Sequence, residues 1–264
     1  MLGKQIRMER IIDRNSGKIV IVPVDHGISM GPIPGLISMR DTISKISLGG
    51  ATAVLMHKGM VSYGHRTSGK DIGLVVHLSA GTGLGGDPNS KVIVTTVEEA
   101  LTLGADAVSI HINLGADTEP DMIRYAGEVS RKCQQWGMPL LAMVYPCGEN
   151  IKDPFDVDAL KICVRVATEL GADLVKISYT GDIDTFHEVV RGALIPIVIA
   201  GGPKMNSDLE ILQMVRDSLN AGARGVSMGR NIFQHKDIVG ITAAVSCIVL
   251  QDSSIEEAAK HLNR

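Results

Sequence analysis

Leu170-Gly171-Ala172-Asp173-Leu174-Val175-Lys176-Ile177 carries a helical run through a glycine turn into a short apolar strand, and the phrase recurs along the chain. Leu48-Gly49-Gly50-Ala51 leads into Ala53-Val54-Leu55-Met56-His57, and Leu103-Gly104-Ala105-Asp106 into Ala107-Val108-Ser109-Ile110-His111. Ala221-Gly222-Ala223-Arg224 leads into Gly225-Val226-Ser227-Met228. Glycine marks these junctions because it fits the left-handed conformation just past a helix end. The glycines at 49, 104, 171 and 222 lie 55, 67 and 51 residues apart, about two strand–helix units per step. Further strand-like runs lie between them at Ile19–Asp25, Leu74–Ser79, Leu140–Tyr145 and Ile195–Ala200. Amphipathic stretches at 119–136, 156–170, 207–220 and 236–250 read as helices. Eight strands alternating with helices predict a parallel (β/α)8 barrel, the TIM barrel, as a single domain over residues 1–264 with a short N-terminal extension. An open doubly wound sheet is the competing architecture. The count of eight, and the lack of a G-x-G-x-x-G fingerprint after the first strand, speak against it. The third unit is ambiguous, because Val92-Ile93-Val94 also reads as strand, followed by a capping box at Thr95 or Thr96.

The chain has 264 residues, 45% of them hydrophobic, which suits one such barrel and a large core. A net charge of −3, a pI near 6.2 and 3% aromatic residues argue against a nucleic-acid or membrane-surface partner. Cys133, Cys147, Cys163 and Cys247 form no C-x-x-C pair, so neither a zinc knuckle nor a redox motif is supported, and reduced thiols are expected. No apolar run reaches the roughly 20 residues that span a bilayer. Met1 to Ile12 carries charges throughout, unlike a secretory leader, so a cytoplasmic location is expected.

Lys176 is the anomaly in this pattern. It interrupts a strand that otherwise reads as buried, where an ammonium is costly to desolvate. A buried lysine with a lowered pKa can attack a carbonyl and form a Schiff base. Side chains alternate along a strand, so Val175 and Ile177 should face the helices while Lys176 and Ser178 point inward. The same parity sends Asp25, His57, His77, His111, Asn113 and Tyr145 inward. Active sites of such barrels lie where these strands end. Three inward histidines also raise a metal site, but no carboxylate spacing supports one. Strand seven ends in Ala200-Gly201-Gly202-Pro203-Lys204 and strand eight in Met228-Gly229-Arg230-Asn231. Glycine backbone and an arginine after these two strands suit a phosphate. Gly81-Thr82-Gly83-Leu84-Gly85-Gly86 reads as a flexible loop, with a phosphate or lid loop as the other reading.

Val24-Asp25-His26-Gly27-Ile28-Ser29-Met30-Gly31-Pro32, Tyr145-Pro146, Lys176 to Asp182, Gly201-Gly202-Pro203-Lys204 and Gly229-Arg230-Asn231 together resemble the archaeal-type class I aldolase family, nearly end to end and in order. His57-Lys58-Gly59 and Gly64-His65-Arg66 draw the likeness towards members that move a hydroxyacetone unit. The resemblance implies Lys176 as the Schiff-base lysine, Tyr145 as proton donor and Asp25 as proton acceptor. It implies a sugar-phosphate site lined by His26, Gly27, Ile28, Ser29, Pro146, Cys147, Gly201, Gly202, Gly229 and Arg230, with Ser178 added by parity. The implied reaction carries hydroxyacetone from 1-deoxy-D-threo-hexo-2,5-diulose 6-phosphate to L-aspartate 4-semialdehyde, early in a route to aromatic amino acids. No cofactor or metal is called for, because the protonated imine polarises the substrate itself. A ring-built homo-oligomer, such as a decamer, is also implied. The alternatives are a fructose-1,6-bisphosphate aldolase and a non-catalytic phosphosugar-binding barrel. Where such relatives read Tyr-Pro-Arg-Gly, this chain has Tyr145-Pro146-Cys147-Gly148, so one basic contact is replaced by a thiol.

Overall fold

Eight parallel strands close into a ring: β1 (Ile19–Pro23), β2 (Ala53–His57), β3 (Gly73–His77), β4 (Ala107–Leu114), β5 (Leu140–Pro146), β6 (Leu174–Ile177), β7 (Ile197–Ala200) and β8 (Gly225–Ser227). The structure is a computed structural model and describes residues 1–64 and 71–262, so His65 and Arg66 lie outside the described residues. Each strand pairs with the next, and β8 returns to β1 through Ile19 opposite Gly225 and Ile21 opposite Ser227. The expected TIM barrel is therefore the observed fold.

Helices pack between and around the strands at Glu119–Trp136, Val157–Glu169, Asp208–Asn220 and Ile238–Gln251, within two residues of the expected bounds. Their starts have a local cause. Asp156, Asp182, Ser207 and Asp237 each accept a bond from a first-turn amide that has no helical partner. Thr96, rather than Thr95, closes the capping box with Glu99. Val92–Ile93 pairs antiparallel with Ser79–Ala80 and stands outside the barrel sheet, so it is a small hairpin above β3 and not a barrel strand. The first repeat also differs from its reading. Gly49 is right-handed (φ −71°) and Gly50 takes the left-handed turn (φ +88°), because the helix Met39–Leu48 ends one residue later than the alignment of repeats implies.

Alternation divides the core into two shells. Val20, Val22, Val24, Val175 and Ile177 pack outward against the helices. Ile21, Leu55, Val75, Leu141, Leu174 and Val198 fill the barrel interior. The N-terminal extension is a stopper for that interior. Its helix Leu2–Met8 leads to Ile11, 1% exposed, which joins the inner cluster. Two aspartates of the repeat explain how it is held. Asp173 accepts the Leu140 amide at 2.9 Å and pairs with Lys4 at 2.9 Å. Asp106 accepts the Leu74 amide at 2.9 Å and pairs with Arg10 at 2.7 Å. Each carboxylate thus satisfies a strand-start N–H and anchors the N-terminus with the same side chain. All four cysteines are free. Among the described residues, no helix is long and apolar enough to cross a membrane.

Candidate active site

The barrel interior changes from apolar to polar towards the strand C-termini. Above Leu174 and Val198 lies a cavity of about 380 Å³ whose wall includes Asp25, His57, His77, His111, Tyr145 and Lys176. These six arrive from β1, β2, β3, β4, β5 and β6, as strand parity requires. His26, Ile28 and Ser29 add the rim on the β1 side. Gly27 instead lines a neighbouring, mostly apolar cavity of about 530 Å³ that shares Asp25, Ile28 and His57.

Lys176 is 8% exposed, with Met143 and Val198 beside it in the sheet. Among the described residues, its only hydrogen bond runs from Nζ to the Met143 sulfur at 3.6 Å. A thioether is a weak acceptor and does little to hold a charge. Burial therefore dominates and lowers the lysine pKa to about 8, with Arg230 pushing the same way and Asp25 opposing. At pH 7 about a tenth of the amine is neutral, against roughly one part in 3,000 for an ordinary lysine.

The Asp25 side chain is mostly enclosed, and burial alone would raise its pKa. The His26 contact, at 3.4 Å from Nδ1, and the Lys176 charge outweigh burial and keep the carboxylate ionised below its usual range. Tyr145 goes the other way. Burial, then the Asp25 charge, raises its phenol, so it keeps its proton. The Tyr145 ring leans on His111 with centroids 5.1 Å apart.

The three histidines are held apart by different partners. His77 Nδ1 meets the Ser109 hydroxyl at 2.7 Å, and His111 Nε2–H donates to Asn113 Oδ1 at 2.8 Å. Burial lowers His77 to about 3 and His111 to about 4, so both are neutral near pH 7. His57 packs edge-on against His77, and its Nδ1 is buried without a hydrogen-bond partner among the described residues. Among the described residues, no group of three or more His, Cys, Asp or Glu is arranged to hold a metal ion.

The remaining expected residues sit at the same mouth but outside the cavity wall. Ser178 follows the end of β6, Pro146 is the last residue of β5 and Cys147 comes just after it, with the Cys147 thiol donating to Asn89 Oδ1 at 2.9 Å. Gly201 and Gly202 follow β7, and Gly229 and Arg230 follow β8. A side chain at Gly229 would stand 2.5 Å from the His26 ring and 2.8 Å from the Pro23 carbonyl, so only glycine lets these loops meet. Arg230 acts by charge on both Lys176 and Tyr145, and its Nε is buried without a hydrogen-bond partner among the described residues. Asn231, fully buried, closes the Gly229-Arg230-Asn231 motif, where the sequence gives it no role of its own. Its Nδ2 donates to the Gly201 carbonyl at 2.7 Å, and its Oδ1 accepts the Met205 amide at 2.7 Å, clamping the β7 and β8 loops together. Asn231→Ala leaves those backbone groups unpaired and should cost about 2–3 kcal/mol, read as a lower urea midpoint. A midpoint unchanged from wild type would refute the clamp.

A family model for DeoC/LacD family aldolases matches residues 19–235. The 2-amino-3,7-dideoxy-D-threo-hept-6-ulosonate synthase of Halobacterium salinarum is 42% identical over 97% of this chain and 95% of that protein. The 2-amino-4,5-dihydroxy-6-oxo-7-(phosphonooxy)heptanoate synthase of Streptomyces griseus is 38% identical over 89% of this chain and 86% of that one. Among solved structures, an archaeal fructose-1,6-bisphosphate aldolase with its catalytic lysine bound to the carbinolamine intermediate of its substrate superposes with a TM-score of 0.86. It is 30% identical, over 93% of this chain and 99% of that chain. The chain belongs to the DeoC/LacD family of aldolases and is an aldolase-type enzyme.

Proposed function

We propose that this enzyme forms a Schiff base on Lys176 and moves a hydroxyacetone unit from 1-deoxy-D-threo-hexo-2,5-diulose 6-phosphate to L-aspartate 4-semialdehyde. The observation that carries this reading is a buried lysine with a depressed pKa, placed at one mouth with an ionised Asp25 and a protonated Tyr145. The neutral amine attacks the donor's C2 ketone, water leaves, and the protonated imine becomes an electron sink. Asp25 takes the C4 hydroxyl proton as the C3–C4 bond breaks. A three-carbon ketoaldehyde phosphate departs, and the hydroxyacetone enamine stays on Lys176. The enamine carbon then adds to the acceptor aldehyde, Tyr145 protonates the new alkoxide, and hydrolysis frees the product. Gly201, Gly202, Gly229 and Arg230 would hold the phosphate and orient the donor.

The two synthase relatives support the choice of acceptor. Both product names describe a seven-carbon acid with an amino group at C2, hydroxyls at C4 and C5 and a ketone at C6. Breaking the C4–C5 aldol bond of either yields the same four-carbon amino-acid aldehyde.

Borohydride trapping is the direct test. With donor present, reduction should fix a three-carbon adduct on Lys176, found by peptide mapping. Trapping should accelerate as pH rises to about 8, because the free amine grows through that range. An unmodified Lys176 would sink the Schiff-base reading. Cleavage of fructose 1,6-bisphosphate with no amino-acid aldehyde present would instead favour the lyase.

A further inference from the structure

We propose that Lys91 selects the acceptor by pairing its ammonium with the α-carboxylate of the amino-acid aldehyde, a role that rests on the Schiff-base reading of Lys176. Lys91 lies on the excursion between the two short strands Ser79–Ala80 and Val92–Ile93, and its side chain forms part of the wall that holds Lys176, Tyr145 and His111.

The excursion is fastened from three sides. The hairpin pairing holds its base, and the Gly83 amide bonds the Ser29 carbonyl at 3.2 Å. Asn89 latches it to the barrel: its carbonyl accepts Asn113 Nδ2 at 2.7 Å and its Oδ1 accepts the Cys147 thiol at 2.9 Å. Gly81 leaves room for the lysine, since a Cβ there would stand 3.0 Å from Lys91 Nζ. The Lys91 ammonium bonds the Pro88 carbonyl, the one hydrogen bond it makes among the described residues. An ammonium has three N–H donors, so two remain for a ligand.

The neighbouring charges favour an anion at this point. His111, on whose ring the Lys91 charge acts, is neutral. Asp87 acts on Lys91 by charge, but its Oδ1 accepts the Asn89 amide at 2.8 Å. Burial lowers the Lys91 pKa and Asp87 opposes it; a bound carboxylate would act in the same direction as Asp87. Around the ring, Lys91 acts by charge on His111 of β4 and on Cys147 just past β5, and Arg230 follows β8, with Lys176 on β6 between them. A ligand joined to Lys176 thus has a cation on each side. The phosphate-bearing fragment leaves from the same enamine carbon to which the amino-acid aldehyde then adds, so its departure frees this part of the cavity for the carboxylate that the incoming aldehyde carries. A lysine suits a compact carboxylate on a small substrate, because it acts as a point charge without the planar demand of a guanidinium.

The test compares two acceptors with the full-length enzyme and Lys91→Met. One is aspartate semialdehyde; the other is propanal, an aldehyde with no carboxylate. The expected result is a fall of about 10- to 100-fold in kcat/KM for aspartate semialdehyde, mostly in KM, and a change within about twofold for propanal. Lys91→Arg should recover most of the loss. Borohydride trapping of hydroxyacetone, which is uncharged, reports Lys176 separately and should be the same in both proteins. Equal effects on the two aldehydes, or none, would overturn the role of Lys91 while leaving trapping intact. Failure to trap hydroxyacetone on the wild type would remove the Schiff-base reading and this proposal with it.

Discussion

Lys176→Met should abolish turnover and stabilise the fold. The other amine on the cavity wall, Lys91, stands on the loop excursion and bonds the Pro88 carbonyl, away from the strand position of Lys176, and loss of a covalent nucleophile of this kind leaves at most a residual rate some orders of magnitude below wild type. The stability effect follows from linkage. The pKa of Lys176 falls from 10.5 to about 8 on folding, so between those two values the unfolded chain binds more protons, and stability rises with pH across that window. Below about pH 8 the cost of charging a buried amine is complete, about 3 kcal/mol at most. Methionine keeps the aliphatic volume and removes the charge, so a gain of about 1–3 kcal/mol at pH 7 is expected, shrinking as pH approaches 10. Denaturant titrations at pH 7 and pH 10 measure it. A variant that is active, or that is less stable at pH 7, would refute the account of Lys176 as a desolvated nucleophile.

Tyr145→Phe should lower kcat by about 10²- to 10⁴-fold, the usual contribution of a placed proton donor. The phenol is suited to donation because burial and the Asp25 charge keep it protonated through the working range. Its ring is set by contact with His111, whose own position is fixed by Asn113 Oδ1 and by the Ser79 hydroxyl on its backbone amide. Phenylalanine preserves that contact, so binding should change little. The measurement is single-turnover kinetics beside borohydride trapping. Slow release of product with near-normal adduct formation is expected. Normal turnover in the variant would assign the proton to another group.

The site was legible in the sequence wherever a side chain follows from strand period. Lys176, Tyr145, His57, His77 and His111 each lie on a strand, and an alternation of two residues leaves one choice of direction once the apolar face is known. Asp25 lies two residues past the end of β1 and still follows the rule, because the Val24 amide bonds the Leu55 carbonyl and extends the strand geometry. Periodicity stops at the loops. Lys91 is turned inward by bonds from Asn113 and Cys147 to Asn89, partners that are 24 and 58 residues distant. Asn231 joins two loops through backbone atoms, which no side-chain pattern announces. The same is true of Val92–Ile93, where a strand-like composition is realised as a hairpin because Ser79–Ala80 offers it an antiparallel partner.

The stopper at the N-terminal end bears on the chemistry at the other. Ile11 closes the barrel below Leu174 and Val198, and Lys4 and Arg10 tether it to Asp173 and Asp106. Water admitted from below would hydrate the Lys176 ammonium and return its acidity towards that of a surface amine. The first dozen residues of the chain therefore act as insulation for the nucleophile: two ion pairs remote from the cavity hold in place the plug that keeps its lower side dry.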